Sequence, residues 1–320
     1  MIINSYDIQR ISTESSNEIV SMSYSKKSIL LVFKLNDIFF ACIVEFKNAG
    51  TAKLSYKIEY EIEKVIPVKM QRCDFKYLNS RIGNNISEKH VVIVGVGSLG
   101  SYISNELVHA GFRRLTIIDG DEYEAENTFR HSIRFNSFRL KKAMGMAFEL
   151  KYIHPELEIV DINDYLSESN LDEYKICSAD IIIFTVGNSD VQLRLNKALI
   201  KKKIQKPVYY AWLEHDGKTS HVAVMRDWHN GCFECLFTNK DGILGPNIIN
   251  VANPSEIKYI KNGCGGTRIP YGNRTLLTAS AALLSAISDD TESNCIYSFA
   301  DDQFIKADFP KNERCRCCGI

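Results

Sequence analysis

A glycine-rich turn is the first part of the sequence whose residues could do chemistry. Gly95, Gly97 and Gly100 follow the apolar run 91–94 and open a stretch with a helical pattern of apolar residues. Glycines at such a turn let the backbone approach a phosphate at the N-terminus of a helix, where free N–H groups and the helix dipole favour an anion. Asp119 ends the next apolar run, where a carboxylate can accept a hydrogen bond from a ribose hydroxyl. The pattern predicts a bound nucleotide and, taken alone, an NAD-dependent oxidoreductase.

The residues that follow Asp119 argue against hydride transfer. Segment 119–131 combines acids, an amide and the cation Arg130, and Lys142 comes soon after it. Arginine and lysine can stabilise the charge on a departing pyrophosphate, and a carboxylate can hold magnesium. An enzyme that cleaves between the α- and β-phosphates of a nucleotide needs this set, whereas a dehydrogenase does not. For the three glutamates of the segment we favour a solvated acidic loop, and for His131 a packed histidine over a proton carrier.

Four of the ten cysteines form two C-x-x-C pairs, Cys232 with Cys235 and Cys315 with Cys318. In a chain without a secretory signal, such pairs indicate metal ligands before they indicate disulfides. Four thiolates suit tetrahedral zinc and leave no open coordination position, so we predict a structural zinc that pins the C-terminal tail to the core. Cys317 could substitute for one ligand. The alternatives are reduced surface thiols or a redox motif.

Cys264 stands apart from these pairs, between glycines in the sequence G-C-G-G at 263–266. It belongs to segment 239–272, whose glycine, proline and asparagine content predicts a long loop of the kind that is often functional. Flanking glycines leave the sulfur open and the backbone free to move, which suits a nucleophile that must reach an activated carbonyl made elsewhere. The alternative is a small apolar residue in a turn, because free cysteine is more often buried and inert. We favour the nucleophile.

The elements that must position these residues alternate between strands and helices from residue 90 onward. Short apolar runs predict buried strands, and longer runs with helical periodicity predict helices. This alternation implies an α/β fold built on a doubly wound parallel sheet. The predicted strands are 91–94, 115–118 and 181–184, and the predicted helices are 99–110, 141–152, 191–204 and 275–288.

Residues 1–70 have a different pattern and predict a small β-rich domain. The apolar runs 28–34 and 38–46 flank a Leu-Asn-Asp segment, which is typical of a hairpin. Apolar and polar residues alternate over 54–62, which predicts a strand with one buried face and one solvated face. A connector then leads through residue 85.

Composition excludes several classes of partner. Lysine and arginine total 39 and aspartate and glutamate total 39, so the net charge of 0 gives no electrostatic reason to bind nucleic acid or an anionic membrane. No apolar stretch is long enough to span a bilayer, and the first residues lack the basic-then-apolar pattern of a signal peptide. We therefore expect a cytoplasmic protein without nucleic-acid or membrane partners.

Residues 72–320 resemble the superfamily of ThiF, MoeB and ubiquitin-activating enzymes. The resemblance depends on the order and spacing of the glycine turn, the acidic segment and the late cysteine pairs. The Arg-His pair at 130–131 and the segment 262–266 look more like the ubiquitin-activating enzymes of bacterial antiphage operons. The resemblance implies a Rossmann-like adenylation domain over 71–320, a crossover loop at about 239–272, a zinc-pinned tail and a role in antiviral defence.

The resemblance also assigns roles to residues around ATP and magnesium. Asn127 and Arg130 would contact the phosphates, with Lys142 on the transferred α-phosphate. Asp121 or a neighbouring acid would contact magnesium. The residues that would hold ATP are Gly95, Gly97, Ser98, Gly100 and Asp119.

Two further assignments are less direct. The family usually has an aspartate after the third nucleotide-side strand, and here either Asn188 or Asp190 could fill that second magnesium position. Homodimers of the family often insert an arginine into the partner's site, and Arg81 stands about where that arginine would come. The resemblance therefore implies a homodimer.

The function implied by the resemblance is ATP-dependent adenylation of the C-terminus of a ubiquitin-like protein. Thioester formation on Cys264 and transfer to a conjugating enzyme would follow. One alternative is a peptide-modifying adenylating enzyme of the microcin-maturing type, which needs no thioester. The other is a non-catalytic nucleotide-binding scaffold.

Overall fold

The computed structural model of the 320-residue chain describes residues 19–24, 28–35, 38–47, 62–134, 138–253, 259–261, 267–289 and 292–319. The chain divides into two units, Met1–Leu78 and Asn79–Ile320. The predicted limits of the β-rich domain and of the adenylation domain, near residue 70, stay predictions.

The first unit contains a four-stranded antiparallel sheet in the order β1-β2-β3-β4. Leu35 pairs with Ile38 at the tight end of β2 and β3, which confirms the predicted hairpin. The alternating strand predicted over 54–62 lies, except for Ile62, outside the described residues. The strands are β1 (Ile19–Tyr24), β2 (Ser28–Leu35), β3 (Ile38–Phe46) and β4 (Ile62–Val68), and their buried side chains include Ile29, Leu31, Cys42, Val44 and Phe46.

The second unit is built on an eight-stranded sheet in the order β14-β13-β10-β9-β8-β5-β6-β7. The five strands β5 to β9 run parallel, as the alternation of strands and helices predicted. β10, β13 and β14 extend the sheet with antiparallel pairs, so the sheet is mixed. The strands are β5 (Ser87–Val94), β6 (Phe112–Ile118), β7 (Glu158–Ile162), β8 (Ile181–Phe184), β9 (Val208–Leu213), β10 (Ser220–Met225), β13 (Cys295–Ala300) and β14 (Gln303–Asp308); a separate hairpin pairs β11 (Ile260–Lys261) with β12 (Thr267–Arg268).

Helices accompany the sheet in the order that a Rossmann-like fold requires. α2 packs against α5, and α5 packs against β9, β10 and β13. No helix among the described ranges is long and apolar enough to cross a membrane. The helices are α1 (Phe75–Arg81), α2 (Ser98–His109), α3 (Lys142–Ile153), α4 (Ser189–Lys201) and α5 (Asn273–Ser288).

The central strands are buried because they carry apolar side chains on both faces. Val91–Val94 of β5 and the whole of β8 are buried. A stack of three aromatic rings joins the sheet to the 3₁₀ turn Phe233–Phe237. The ring centroids of Phe184 and Tyr210 are 5.0 Å apart, and those of Tyr210 and Phe233 are 4.0 Å apart. This stack fixes the turn that carries Cys235 against the sheet.

Candidate functional site

A cavity of about 380 Å³ lies at the carboxyl ends of β5, β6 and β8. In open α/β sheets this edge is where ligands bind, because the strand ends and the helix N-termini leave a crevice there. The residues that line it are Val94, Gly95, Gly97, Ile118, Asp119, Gly120, Asp121, Asp164, Tyr165, Leu166, Thr185, Val186, Gly187, Asn188 and Val191.

The glycine turn between β5 and α2 forms one wall of this cavity. Gly95 has a φ of +88°, a conformation that favours glycine. At Gly100 an added Cβ would lie 2.0 Å from the carbonyl oxygen of Gly95, so the helix can pack on the turn only with glycine there. Gly97 has open space where its side chain would be and is the N-cap of α2. Backbone N–H groups at this helix start are therefore accessible to an anion.

Asp119 ties the end of β6 to the glycine turn. Its carboxylate accepts hydrogen bonds from the backbone N–H of Val96 at 2.6 Å and of Asp121 at 2.8 Å. Burial raises the pKa of this carboxyl group, although Lys142 and the two N–H donors act in the opposite direction. A carboxylate has further lone pairs, so Asp119 can also accept from a ribose hydroxyl.

Asp121 joins two other side chains at the edge of the cavity. The Nζ of Lys142 donates to it at 2.7 Å, and the hydroxyl of Tyr165 donates at 2.6 Å. Burial opposes ionisation of Asp121, but these hydrogen bonds outweigh it and lower its pKa. The same contact raises the pKa of Tyr165 to about 12, so the phenol stays protonated. Lys142 is buried at the start of α3, with its Nζ against Asp121 at the edge of the cavity.

Tyr165 was missed by the sequence analysis. Its ring covers Gly120, where an added Cβ would lie 2.8 Å from ring carbons. Its position shortly after β7 could have indicated that it lies at the cavity, because the carboxyl ends of neighbouring parallel strands meet at one edge of the sheet.

Arg130 lies at the N-terminus of α2. Its guanidinium donates to the hydroxyl of Ser98 at 2.8 Å and contacts the hydroxyl of Tyr271 at 3.4 Å. Asn127 is buried, and its side-chain oxygen accepts from the N–H of Glu124 at 2.8 Å. The amide of Asn127 thus holds the 3₁₀ turn Ala125–Asn127 that leads to Arg130.

His131 is a packed histidine, as predicted. Its Nδ1 accepts from the N–H of Ile133 at 3.1 Å, so Nε2 carries the proton and donates to the carbonyl of Val96 at 2.7 Å. Burial lowers the pKa of His131 to about 4, which keeps the ring neutral. Its role is to hold the glycine turn.

The two candidates for the second magnesium position lie differently. Asn188 lines the cavity, but its side-chain oxygen caps α4 by accepting from the N–H groups of Asp190 and Val191 at 3.0 and 3.2 Å. Asp190 is exposed in the first turn of α4 and is absent from the described cavity lining. Arg81, the other less direct assignment, is the exposed last residue of α1.

The four paired cysteines converge in a buried cluster. Their sulfur atoms all lie within 4.8 Å of one another, with 3.8 Å between Cys232 and Cys315 and 3.5 Å between Cys235 and Cys318. Four thiolates about 2.3 Å from a zinc ion would stand roughly 3.8 Å apart, so the geometry fits tetrahedral zinc. A hydrogen bond with Cys235 is the main cause that lowers the pKa of Cys232 to about 4, which favours a thiolate.

Cys317 lies beside the cluster and outside the set of four. The side-chain amide of Asn196 donates to its sulfur at 3.4 Å. Cys264 lies outside the described residues, as does the rest of 262–266. The nucleophile hypothesis therefore stays a prediction from the sequence.

A model of the ThiF family matches residues 74–261. The ATP-dependent ubiquitin transferase-like protein Cap2 of Pseudomonas aeruginosa is 27% identical over 216 residues, which are 65% of this chain and 38% of Cap2. Ubiquitin-like modifier-activating enzyme 5 of Drosophila erecta is 24% identical over 196 residues, 58% of this chain and 46% of the relative. The chain spans less than half the length of either relative.

Among solved structures, Escherichia coli MccB has a similar fold. Its crystal structure with ATP gives a TM-score of 0.53 at 20% identity, with 73% of this chain and 68% of that chain covered. The structure of MccB with MccA-N7isoASN gives a TM-score of 0.55 at 19% identity, covering 73% of this chain and 67% of that chain. At this level of identity the likeness is one of fold.

Proposed function

We propose that this chain, which belongs to the ThiF family, uses ATP to adenylate the C-terminal carboxylate of a ubiquitin-like protein. The observation that carries the proposal is the cavity at the strand ends, with a glycine turn on one wall and Asp119 at the end of β6. Arg130 and Lys142 lie beside the cavity. Arg130 donates to Ser98 at the start of α2, and Lys142 donates to Asp121, which lines the cavity.

The reaction needs little covalent chemistry from the protein. The partner's carboxylate oxygen attacks the α-phosphorus of ATP, the bond to the bridging oxygen breaks, and pyrophosphate leaves. Arg130 and Lys142 would stabilise the negative charge that develops on these phosphates. Asp119 would hold the ribose, and the N–H groups at the start of α2 would bind phosphate oxygens.

Magnesium would be held at this site by Asp121. Of the described residues, the carboxylates that line the cavity are Asp119, Asp121 and Asp164. Both carboxylate oxygens of Asp119 accept from backbone N–H groups. The carboxylate of Asp164 accepts from the hydroxyl of Tyr174 and the N–H of Tyr165. Asp121 instead accepts from two side chains, the Nζ of Lys142 and the hydroxyl of Tyr165. The ion, when bound, would neutralise charge on the phosphate oxygens.

The second step of the proposal rests on the sequence around Cys264. The thiolate would attack the carbonyl carbon of the adenylate, the bond to the phosphate oxygen would break, and AMP would leave. A thioester formed in this way could pass to the cysteine of a conjugating enzyme. The similarity to Cap2 and to ubiquitin-like modifier-activating enzyme 5 supports this reading. A cytoplasmic homodimer with Arg81 in the partner's site belongs to the same proposal.

The match to MccB favours a second candidate, in which the substrate is a peptide and nitrogen attacks the adenylate. The chain covers about two thirds of MccB but less than half of Cap2. Cys264 would then be dispensable.

One experiment separates these candidates and a non-catalytic scaffold. The purified chain is mixed with ATP, labelled pyrophosphate and a purified ubiquitin-like protein, and the adduct is followed on non-reducing gels. The proposal expects exchange of pyrophosphate into ATP and a thiol-sensitive adduct that Cys264→Ala abolishes. Cys295→Ala, at a buried cysteine of β13, is the matched control and should keep the adduct. Exchange without any adduct favours the peptide-modifying candidate, and no exchange indicates a scaffold.

A further inference from the structure

The turn between β9 and β10, residues 214–219, contacts the crossover loop at two places, residues 250–252 and residue 270, which are the first and second ends of the loop's outer segment. We infer that this turn fixes the loop on the domain and that Glu214 is the positioning residue that anchors the loop's first end. Neither the family resemblance nor the proposed reaction assigns a role to this turn.

The first end of the loop is bound through its backbone. The two carboxylate oxygens of Glu214 accept from the N–H of Val251 at 2.9 Å and from the N–H of Ala252 at 2.8 Å. Beside them, the indole Nε1 of Trp212 donates to the side-chain oxygen of Asn250 at 2.9 Å. Three consecutive loop residues are therefore bonded to the end of β9 and the residue after it.

Glu214 is a strong anchor because it is buried. Only 1% of its surface is exposed, and its remaining donor is the Nε2 of His221, which is itself 2% exposed. The Nδ1 of that histidine is bonded to the hydroxyl of Ser298 at 2.7 Å, which fixes the ring. If residues 251–252 left, a buried carboxylate would lose two of its three donors. Burying an unsatisfied charge costs far more than an exposed hydrogen bond yields, so the loop end is held firmly.

The second end of the loop meets the same turn. Gly217 has a φ of +68°, and an added Cβ would lie 2.2 Å from the carbonyl oxygen of Pro270. The carbonyl of Gly217 accepts from the hydroxyl of Thr275, in the first turn of α5, at 2.7 Å. Between these residues, Tyr271 contacts Arg130 at 3.4 Å. The turn therefore holds the second end of the loop beside Arg130, which is predicted to contact the phosphates.

The consequence is that one short turn holds the residues on both sides of the segment between residues 252 and 270. That segment includes Cys264, so the relevance of the anchor to thioester formation rests on the proposed function. Glu214 touches no reacting group. It acts on the chemistry only by positioning the loop.

The test uses Glu214→Gln in the full chain, because glutamine keeps the size of the side chain but loses one acceptor and the charge. Amide hydrogen exchange at Val251 and Ala252 should become about tenfold faster or more. The chain has two tryptophans, so the indole signal of Trp212 can be followed directly by NMR and should shift. Trypsin should also cut faster after Lys258, Lys261 and Arg268.

The matched control is Glu149→Gln. Glu149 also accepts a backbone N–H, that of Arg134 at 3.0 Å, and pairs with the same residue's guanidinium, but it lies on α3. This variant should leave exchange at residues 251–252 and the Trp212 signal unchanged. Because Glu214→Gln could fail to fold, Asn250→Ala provides a second variant on the loop itself. It should shift the Trp212 signal and speed exchange at Val251 while the circular dichroism spectrum stays the same.

Amide hydrogen exchange at residues 251–252 that stays at the wild-type rate in both Glu214→Gln and Asn250→Ala would overturn the inference. These hydrogen-exchange measurements need neither ATP nor a partner. A wild-type chain that does not exchange pyrophosphate into ATP would contradict the proposed function but not the anchoring role of Glu214. If the proposed function and the anchoring role are both correct, Glu214→Gln should keep pyrophosphate exchange within about threefold of wild type and slow formation of the thiol-sensitive adduct about tenfold.

Discussion

Arg130 and Lys142 are the residues on which the proposed chemistry depends most. We expect Arg130→Ala and Lys142→Ala each to lower pyrophosphate exchange roughly 10²-fold or more, because each removes a charge that would stabilise the departing pyrophosphate. Arg134→Ala removes an exposed cation of the same stretch that pairs with Glu149, and it should exchange like wild type. If Arg130→Ala and Lys142→Ala exchanged pyrophosphate as fast as Arg134→Ala, the proposed location of the ATP site would be wrong.

Asp121 makes a pH-dependent contribution to stability whose sign follows from its environment. Its pKa is lower in the folded chain than in the unfolded chain, so its stabilisation is present above the unfolded value of about 3.9 and is lost as the pH falls through the folded value. Asp121→Asn should therefore lower the free energy of unfolding at pH 6 and have a smaller effect at pH 3, by urea denaturation. The exposed Asp308→Asn on β14 is the control. An equal loss at both pH values would argue that the contacts to Lys142 and Tyr165 do not favour the ionised form.

At the scale of elements, two glycines of the same turn should behave differently. Gly100→Ala places a methyl group 2.0 Å from a carbonyl oxygen, so we expect it to cost about 1–3 kcal/mol of stability and to disrupt nucleotide binding. Gly97→Ala meets open space and should leave the melting temperature nearly unchanged, although it narrows the cavity and should weaken binding of ATP. Equal melting temperatures for the two variants would contradict this reading of the turn.

The C-terminal tail is the second element with a definite prediction. We expect one zinc per chain by elemental analysis, and Cys315→Ser should release the metal and cost several kcal/mol, because metal binding and folding are coupled. Cys317→Ser alters a sulfur outside the set of four and should keep the zinc. Zinc-free wild-type protein, or loss of zinc in Cys317→Ser alone, would contradict the assignment.

Three of the five parallel strands and the four long helices were predicted, whereas the parallel strands β7 and β9 and the antiparallel strands of this sheet were not. Apolar runs and helical periodicity placed β5, β6, β8 and the long helices within about four residues, because local patterns determine them. β10 and β13 pair across a long stretch of chain: Val222 pairs with Tyr297, which is 297 − 222 = 75 residues later, and no local pattern encodes such a pairing. The cysteine cluster was predictable because metal ligands have characteristic spacings. Tyr165 and Glu214 were not, since each depends on contacts between distant segments.

At the scale of the whole molecule, the chain combines a family-wide nucleotide site with a separate N-terminal unit. The ThiF match begins at residue 74, near the end of the unit Met1–Leu78, so the four-stranded sheet falls outside it. Its exposed side chains include Leu30 and Phe39. The residues that could do chemistry lie in the second unit, so the sequence of residues 1–70 predicted a β-rich fold but no function.

Exchange of labelled pyrophosphate into ATP tests the central claim most directly. The purified chain is assayed with a ubiquitin-like protein, and with the same protein carrying a C-terminal amide in place of the carboxylate. We predict exchange that requires the free carboxylate and that Arg130→Ala reduces roughly 10²-fold. Absence of exchange with the intact partner, or exchange that is equal with the amidated one, would contradict the account.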